Sequence, residues 1–389
     1  MRPVIFLNSH PIQYFAPLYQ QIASTTAISL TVLYCSDESI KGKMDRGFGQ
    51  EVKWDIPLLD GYKYNFLKNY SWKPSIHRGF FGLINPGVIS FLYKQPRSTI
   101  IVHGWAYSTN IMAIIFGKMF GHTVCLRSET PLNQELKKNK LKTFLKNCWL
   151  RFLFLFIKYF LYIGRQNELF YRSLGVKESK LIFTPYAVDN ERFRNIYLAT
   201  TKQFAKEKLS LPQDKKIILF SGKYISKKRP LDLLKAFDLL AGKDALLVMA
   251  GEGELRSEMA SYIKQHGLSE KVMLTGFINQ AEIPLYYRSA DIFVMCSGQG
   301  ETWGLSVNEA MNFGVAVIVS DTCGSAYDLV DNNLNGAIFE TGSIPQLSEL
   351  LYKFLQLPTE KISEVKNAAL NKIDQYSYHQ IITAIESIP

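Results

Sequence analysis

The stretch Gly300-Glu301-Thr302-Trp303-Gly304-Leu305-Ser306-Val307-Asn308-Glu309-Ala310-Met311-Asn312-Phe313-Gly314 decides how this chain is read. It lies between two apolar runs, 291–296 and 315–320, that each read as a buried strand. The unit is therefore strand, loop, helix, strand. Glu301 falls on the loop and Glu309 inside the helix, at the C-terminal mouth of the first strand, where open α/β sheets bind ligands. A helix opening at Gly304-Leu305 presents free N–H groups and a positive dipole end to an anion. One carboxylate can then meet the reacting part of a ligand while the other holds hydroxyls further along. The ligand implied is anionic and rich in hydroxyls, although two glutamates at this spacing also describe a solvated helix face.

Working outward, further strand candidates lie at 4–8, 30–35, 99–103, 122–127 and 159–164, a segment around 181–188 closes this half, and strands follow at 216–221, 245–250 and 271–275. Helical patterns fall between many of them, at 15–23, 110–120, 231–240, 254–265, 281–288 and 305–313, and strands alternating with helices imply parallel sheets. The 389 residues are enough for two domains. Residues 189–198 read as the linker, and 343–372 and 376–388 as terminal helices. The net charge of +11 suits an acidic partner: nucleic acid, an anionic membrane face, or nucleotide and lipid phosphates. Five scattered cysteines (Cys35, Cys125, Cys148, Cys296, Cys323) without a Cys-x-x-Cys pair argue against a disulfide framework or zinc site and for a reducing compartment. The N-terminal apolar run is too short for a signal peptide and reads as a first strand, so a cytoplasmic location is expected.

The segment from Glu301 resembles the Glu-x7-Glu signature of the family 4 glycosyltransferases, retaining enzymes of the GT-B fold, and departs from it mainly at Ala316, where the family usually carries proline. The resemblance implies two Rossmann-like domains facing across a cleft, with a C-terminal helix crossing back to the first. The expected division is 1–192 with 374–389 for the acceptor and 193–373 for the nucleotide sugar. Phe220-Ser221-Gly222-Lys223-Tyr224-Ile225-Ser226-Lys227-Lys228-Arg229-Pro230 resembles the family's Gly-Arg-x-x-x-x-Lys-Gly motif, with Lys223 at the arginine position and Lys228 at the lysine position. Cations after a strand-ending glycine suit a departing diphosphate. Lysine in place of arginine replaces a bidentate fork by a point charge. Val248–Glu254 and Val272–Phe277 resemble the family's strand to Gly-x-Gly and strand to Gly-aromatic turns. The donor contacts so implied are Gly222, Lys223, Lys228, Phe277, Ile278, Glu301, Trp303, Gly304, Leu305 and Glu309. Catalytic roles are implied for Glu301, Lys228, Lys223 and, beside the donor sugar, His103.

In the first half, His10, Arg127 and Glu129 follow strand ends and are candidates for the acceptor side. No Asp-x-Asp occurs in the chain, so neither a metal nor a cofactor is expected beyond the nucleotide sugar as co-substrate. Residues 137–162 combine Lys137, Lys138, Lys140, Lys142, Lys146 and Arg151 with Leu141, Phe144, Leu145 and Trp149. The pattern is too short and too charged to span a membrane but suits a basic aromatic helix lying on an anionic one. The resemblance and this stretch together point to transfer onto a glycan or lipid-linked acceptor at the inner face of the plasma membrane, in cell-surface polysaccharide or lipopolysaccharide synthesis. A sugar-nucleotide epimerase of the same shape and a catalytically silent binding module are the alternatives. Nucleic acid is excluded as a partner by the lack of a recognisable motif.

Overall fold

The structure, a computed structural model, describes every residue except Met1, Gly42, Lys43, Arg46, Val52 and 241–243. In chain order the strands are β1 (Arg2–Asn8), β2 (Ile28–Tyr34), β3 (Met44–Asp45), β4 (Gln50–Glu51), β5 (Tyr64–Phe66), β6 (Thr99–His103), β7 (Thr123–Arg127), β8 (Tyr159–Tyr162), β9 (Leu181–Phe183), β10 (Lys216–Ser221), β11 (Ala245–Ala250), β12 (Val272–Gly276), β13 (Ile292–Met295), β14 (Ala316–Ser320) and β15 (Gly336–Phe339). They build two compact units. The first comprises Met1–Lys43, Ile56–Pro185 and Tyr378–Pro389; the second comprises Met44–Asp55 and Tyr186–Ser377.

The sheet of the first unit runs β5-β2-β1-β6-β7-β8-β9 and that of the second β12-β11-β10-β13-β14-β15. All neighbours in both are parallel. Parallel neighbours need long crossovers, and the helices that supply them cover both faces of the sheet. That is why Val4–Leu7, Ile217–Phe220 and Val317–Val319 are unbroken buried runs. In each unit the chain first winds one way from a central strand and then returns to its other side. The reversal falls between β1 and β6 in the first unit and between β10 and β13 in the second. At such switch points the loops leaving two neighbouring strands diverge and open a crevice.

Glycines let the loop ends of the second sheet lie directly on one another. A Cβ on Gly251 would stand 1.9 Å from the Gly222 carbonyl oxygen, and one on Gly324 would stand 1.7 Å from that of Thr302. A Cβ on Gly222, by contrast, would meet only ordinary contacts at 3.7–3.9 Å.

Several expectations are corrected. The supposed linker 189–198 is a helix, Asn190–Ala199, started by Asp189, whose side chain accepts from the Arg192 N–H. Phe193 is its buried residue, so apolar periodicity did not announce it. The units divide at Pro185/Tyr186 rather than at 192/193, and the terminal element joining the first unit starts at Tyr378 rather than 374. Its helix, Tyr378–Glu386, buries Tyr378, Ile381, Ile382 and Ile385, and the Tyr378 hydroxyl donates to the Tyr14 carbonyl at 2.7 Å. Residues 44–55, assigned to the first domain by sequence order, pack with the second. There the Asn279 amide donates to the Lys53 carbonyl at 2.8 Å, and the Ala281 N–H donates to Asp55 at 3.0 Å. The basic aromatic stretch 137–162 is not one helix: the helix is Lys140–Phe154, and Tyr159–Tyr162 is the buried-core strand β8. The strands β5, an exposed edge, and β15, which opens with two small residues, lack a long apolar run and were not anticipated.

These glycine contacts predict that Gly251→Ala costs about 2–3 kcal/mol of stability, as overpacking against backbone does, whereas Gly222→Ala costs under about 1 kcal/mol. Chemical denaturation of the two variants checks the contrast; equal losses would mean the crossing at Gly222 relaxes freely.

Candidate functional site

The switch point of the second unit brings together two sequence motifs some seventy positions apart. The loop after β10 carries Lys223, Lys227 and Lys228, and the loop after β13 carries Glu301. The Lys228 ammonium is bonded to Glu301 Oε2, Lys227 Nζ lies 3.8 Å from the same oxygen, and Lys227 Nζ also donates to the Gly300 carbonyl at 2.8 Å. The Glu301 side chain is only 10% exposed. Burial pushes its carboxyl upward, but Lys228 and Lys227, aided by a hydrogen bond from Ser297, outweigh that and leave it below the usual carboxylate range. Of the four cations expected to form one cluster, Arg229 stands apart, paired with Asp232 at 2.6 Å. Lys223 reaches over the ring of Phe48, 4.7 Å from its centroid. At Glu301 two positive charges, Lys227 and Lys228, meet one negative.

The helix that follows is Leu305–Met311, entered through Gly304 in the left-handed conformation (φ 94°). A Cβ there would strike Cys323 Sγ at 2.8 Å, so both the backbone angle and the space require glycine. Glu309 is buried, and its Oε2 accepts from the Tyr287 hydroxyl at 2.7 Å. Trp303, expected among the donor contacts, points inward. It is 2% exposed, and its indole N–H donates to Asn308, which donates in turn to the Tyr186 carbonyl. Its ring anchors the loop, and any ligand contact at this position falls to backbone. The Gly251-x-Gly253 pair is likewise explained by packing, since a Cβ on Gly253 would meet the Tyr224 and Gly47 carbonyl oxygens at 2.6 and 2.9 Å. Phe277 and Ile278 are half-buried on the loop after β12. Phe277 contacts Phe48 edge-to-face, centroids 4.8 Å apart, and Trp54 at 6.3 Å.

In the first unit, His10 follows β1 and His103 ends β6, so both flank that unit's switch point. His10 shares a 2.9 Å hydrogen bond with Ser9, and burial, only partly opposed by Glu38, lowers its pKa to about 4. His103 packs edge-on to Phe15 at 4.7 Å. Burial and then the nearby Arg127 guanidinium hold it well below the ordinary imidazole range, so it is neutral at physiological pH. Its Nε2 is buried without a hydrogen-bond partner among the described residues. Arg127, buried at the end of β7, lies over Phe15 and donates to the Pro185 carbonyl. Glu129 is half-buried two residues on.

Sequence reasoning missed Phe48, Trp54, Tyr287 and Ser297. The glycine-flanked Phe48 is visible as a turn, but nothing in the sequence attaches a turn of the first half to the second sheet. Among the described residues there is no group of three or more His, Cys, Asp or Glu placed to hold a metal ion, and no helix long and apolar enough to cross a membrane.

Residues 201–372 match the family model for glycosyl transferases group 1. The chain is 27% identical over 240 residues, 61% of each chain, to the N,N'-diacetylbacillosaminyl-diphospho-undecaprenol α-1,3-N-acetylgalactosaminyltransferase of Campylobacter jejuni. In structure it is similar to the sucrose-phosphate synthase of Thermosynechococcus elongatus (TM-score 0.76, 15% identity, 100% of this chain and 98% of that one). It is also similar to Anabaena HepE in complex with UDP (TM-score 0.75, 14% identity, 99% and 98%). The chain matches between 33% and 61% of the length of such sequence relatives. The fold is that of the GT-B glycosyltransferases, and these matches support a glycosyltransferase family of that fold.

The buried ion pair predicts a pH dependence. Because the folded-state pKa of Glu301 is depressed, its contribution is complete above the ordinary value of 4.5 and is lost as pH falls through the lower folded value. Lys228→Met should cost about 3 kcal/mol at neutral pH, as orphaning a buried charge does, and should flatten this acid limb. Denaturant titrations between pH 7 and pH 3 measure both effects.

Proposed function

We propose that the protein is a metal-independent, retaining glycosyltransferase of family 4 type that moves a sugar from a nucleoside-diphosphate sugar to a glycan or lipid-linked acceptor. The observation that carries this reading is the junction of Lys228, Lys227 and Glu301 at the switch point. When a sugar–phosphate bond breaks, charge gathers on the diphosphate oxygens, and fixed cations there stabilise the transition state more than the ground state. An ammonium has three donors; Glu301 takes one from Lys228 and so sets its position, leaving the others for phosphate oxygens. The depressed pKa of Glu301 makes it a poor proton acceptor, which suits front-face attack in which the departing phosphate takes the acceptor's proton. Glu301 then holds donor-sugar hydroxyls and Glu309 the ribose, with Tyr287 orienting Glu309. Gly222 has no packing reason to be glycine, which fits a close approach of ligand to backbone. His103, with its buried Nε2, is the group of the first unit best suited to a sugar hydroxyl; His10, Arg127 and Glu129 are assigned to the acceptor side. HepE structures in complex with UDP and UDP-glucose, and a relative named for a diphospho-undecaprenol substrate, support these partner classes.

The test is transfer from a panel of sugar nucleotides, with the anomeric configuration of the product assigned by NMR. Retention and insensitivity to EDTA are expected; an inverted centre, or activity restored only by Mn²⁺ or Mg²⁺, would overturn the assignment. Sugar nucleotide converted without acceptor would indicate an epimerase instead. Lys228→Met, assayed where it is folded, should lose about 2–4 kcal/mol of transition-state stabilisation, mostly in kcat.

The acceptor is proposed to lie at the cytoplasmic face of the plasma membrane. The helix Lys140–Phe154 turns Leu150, Leu153 and Phe154 inward and exposes Leu141, Phe144, Leu145, Trp149 and Phe152 along one stripe, continued by Leu155. Exposed Lys137, Lys140, Lys142 and Arg151 accompany it. Lys138 and Lys146 are instead tied to the buried Glu135, so they belong to the packing of this region. Each cation near an anionic bilayer contributes about 1 kcal/mol. Cosedimentation with phosphatidylglycerol vesicles at low salt should be strong and should weaken with added salt. It should be lost in Lys140→Glu/Lys142→Glu/Arg151→Glu; absence of wild-type binding would favour a water-borne acceptor.

A further inference from the structure

We infer that the hairpin of residues 44–55 is a built part of the donor site, in which Phe48 and Trp54 wall a nucleobase pocket around Phe277. The inference rests on the donor reading above and adds to it residues from the other half of the sequence. Three independent features fasten the hairpin to the site. Its turn is seated on Gly253, where a Cβ would stand 2.9 Å from the Gly47 carbonyl oxygen, and on Lys223, whose Cδ would be 2.6 Å from a Cβ on Gly47. Its far end is bonded to the loop that follows Phe277, through Asn279 to Lys53 and Ala281 to Asp55. Between these anchors Phe48 meets Phe277 edge-to-face at 4.8 Å, and Trp54 lies 6.3 Å from the same ring. The second glycine of Gly251-x-Gly253 is therefore shaped to receive this hairpin.

A hairpin that merely capped the unit would seal its rings. The core rings of this unit, such as Phe220, Tyr224, Tyr287 and Phe293, are 0–1% exposed, whereas Phe48, Trp54 and Phe277 all remain only half-buried. Lys223 holds its ammonium 4.7 Å from the Phe48 centroid. Open aromatic surface beside a cation at a strand-end crevice matches a flat base joined to a diphosphate. Edge-to-face packing of two rings leaves faces on which such a base stacks. Phe48 is thus a binding and base-selecting residue, and Lys223 is positioned by it.

Calorimetric titration of the full chain with UDP, GDP, ADP and inorganic pyrophosphate tests this. Phe48→Ala should weaken binding of the preferred nucleoside diphosphate about 10-fold, as loss of a stacking ring does, and leave pyrophosphate binding unchanged. Trp54→Ala should weaken it less, and Phe48→Tyr should restore it. A wild type that binds pyrophosphate but no nucleoside diphosphate would sink the donor reading itself. If the wild type binds and Phe48→Ala binds equally well, only the hairpin's role fails. Tighter binding by Phe48→Ala would mean the hairpin blocks the site, and equal loss of pyrophosphate would mean Phe48 acts solely through Lys223; either result overturns the pocket assignment. Thermal melting of each variant shows that the hairpin change leaves the unit folded.

Discussion

A carboxylate taken out of water must be given its counter-charge by the fold, and at Glu301 that requirement ties the second unit together. The loop carrying Glu301 has no cation of its own. Lys228 and Lys227 come from the loop after β10, and they reach Glu301 because β10 and β13 are hydrogen-bonded neighbours across the switch point. The same pairing places a surplus of positive charge at the sheet's C-terminal edge, where dipoles and free backbone N–H groups also point. Structure and proposed chemistry therefore draw on one arrangement: the ion pair that makes burial of Glu301 tolerable also positions the ammonium that would face a diphosphate.

Rigidity around that pair comes from loops laid on each other without side chains between them. The missing side chain of Gly251 leaves room for the Gly222 carbonyl, that of Gly324 leaves room for the Thr302 carbonyl, and Gly304 turns beneath Cys323. Trp303 completes the frame by running its N–H through Asn308 to the Tyr186 backbone. For the proposed transfer such a frame would be an advantage, because cations fixed in advance leave little reorganisation as charge develops.

The first unit follows the same plan with different chemistry. Its switch point gathers His103, Arg127 and Phe15, and there burial together with Arg127 keeps the imidazole neutral. A neutral ring with one buried nitrogen left over is suited to a hydroxyl, in contrast to the charged pair of the second unit.

The alternation of apolar runs with helical stretches, and the motifs at 220–230 and 300–314, were enough to read two parallel sheets and to choose Glu301, Lys228 and Gly304. Unbroken apolar strands and strand-end glycines are local consequences of a two-sided parallel sheet, so they are written locally. Other features were decided only by tertiary contact. Lys228 and Glu301 became one ion pair, Trp303 turned inward, Gly253 became a seat for a hairpin, and residues 44–55 crossed to the second unit. Each depends on which strands are neighbours and which backbone atoms meet, distances that residue order along a chain does not encode. The helix Asn190–Ala199 escaped for the converse reason: with Phe193 as its buried anchor, its fold is held by a cap and by contacts that leave almost no period in the sequence.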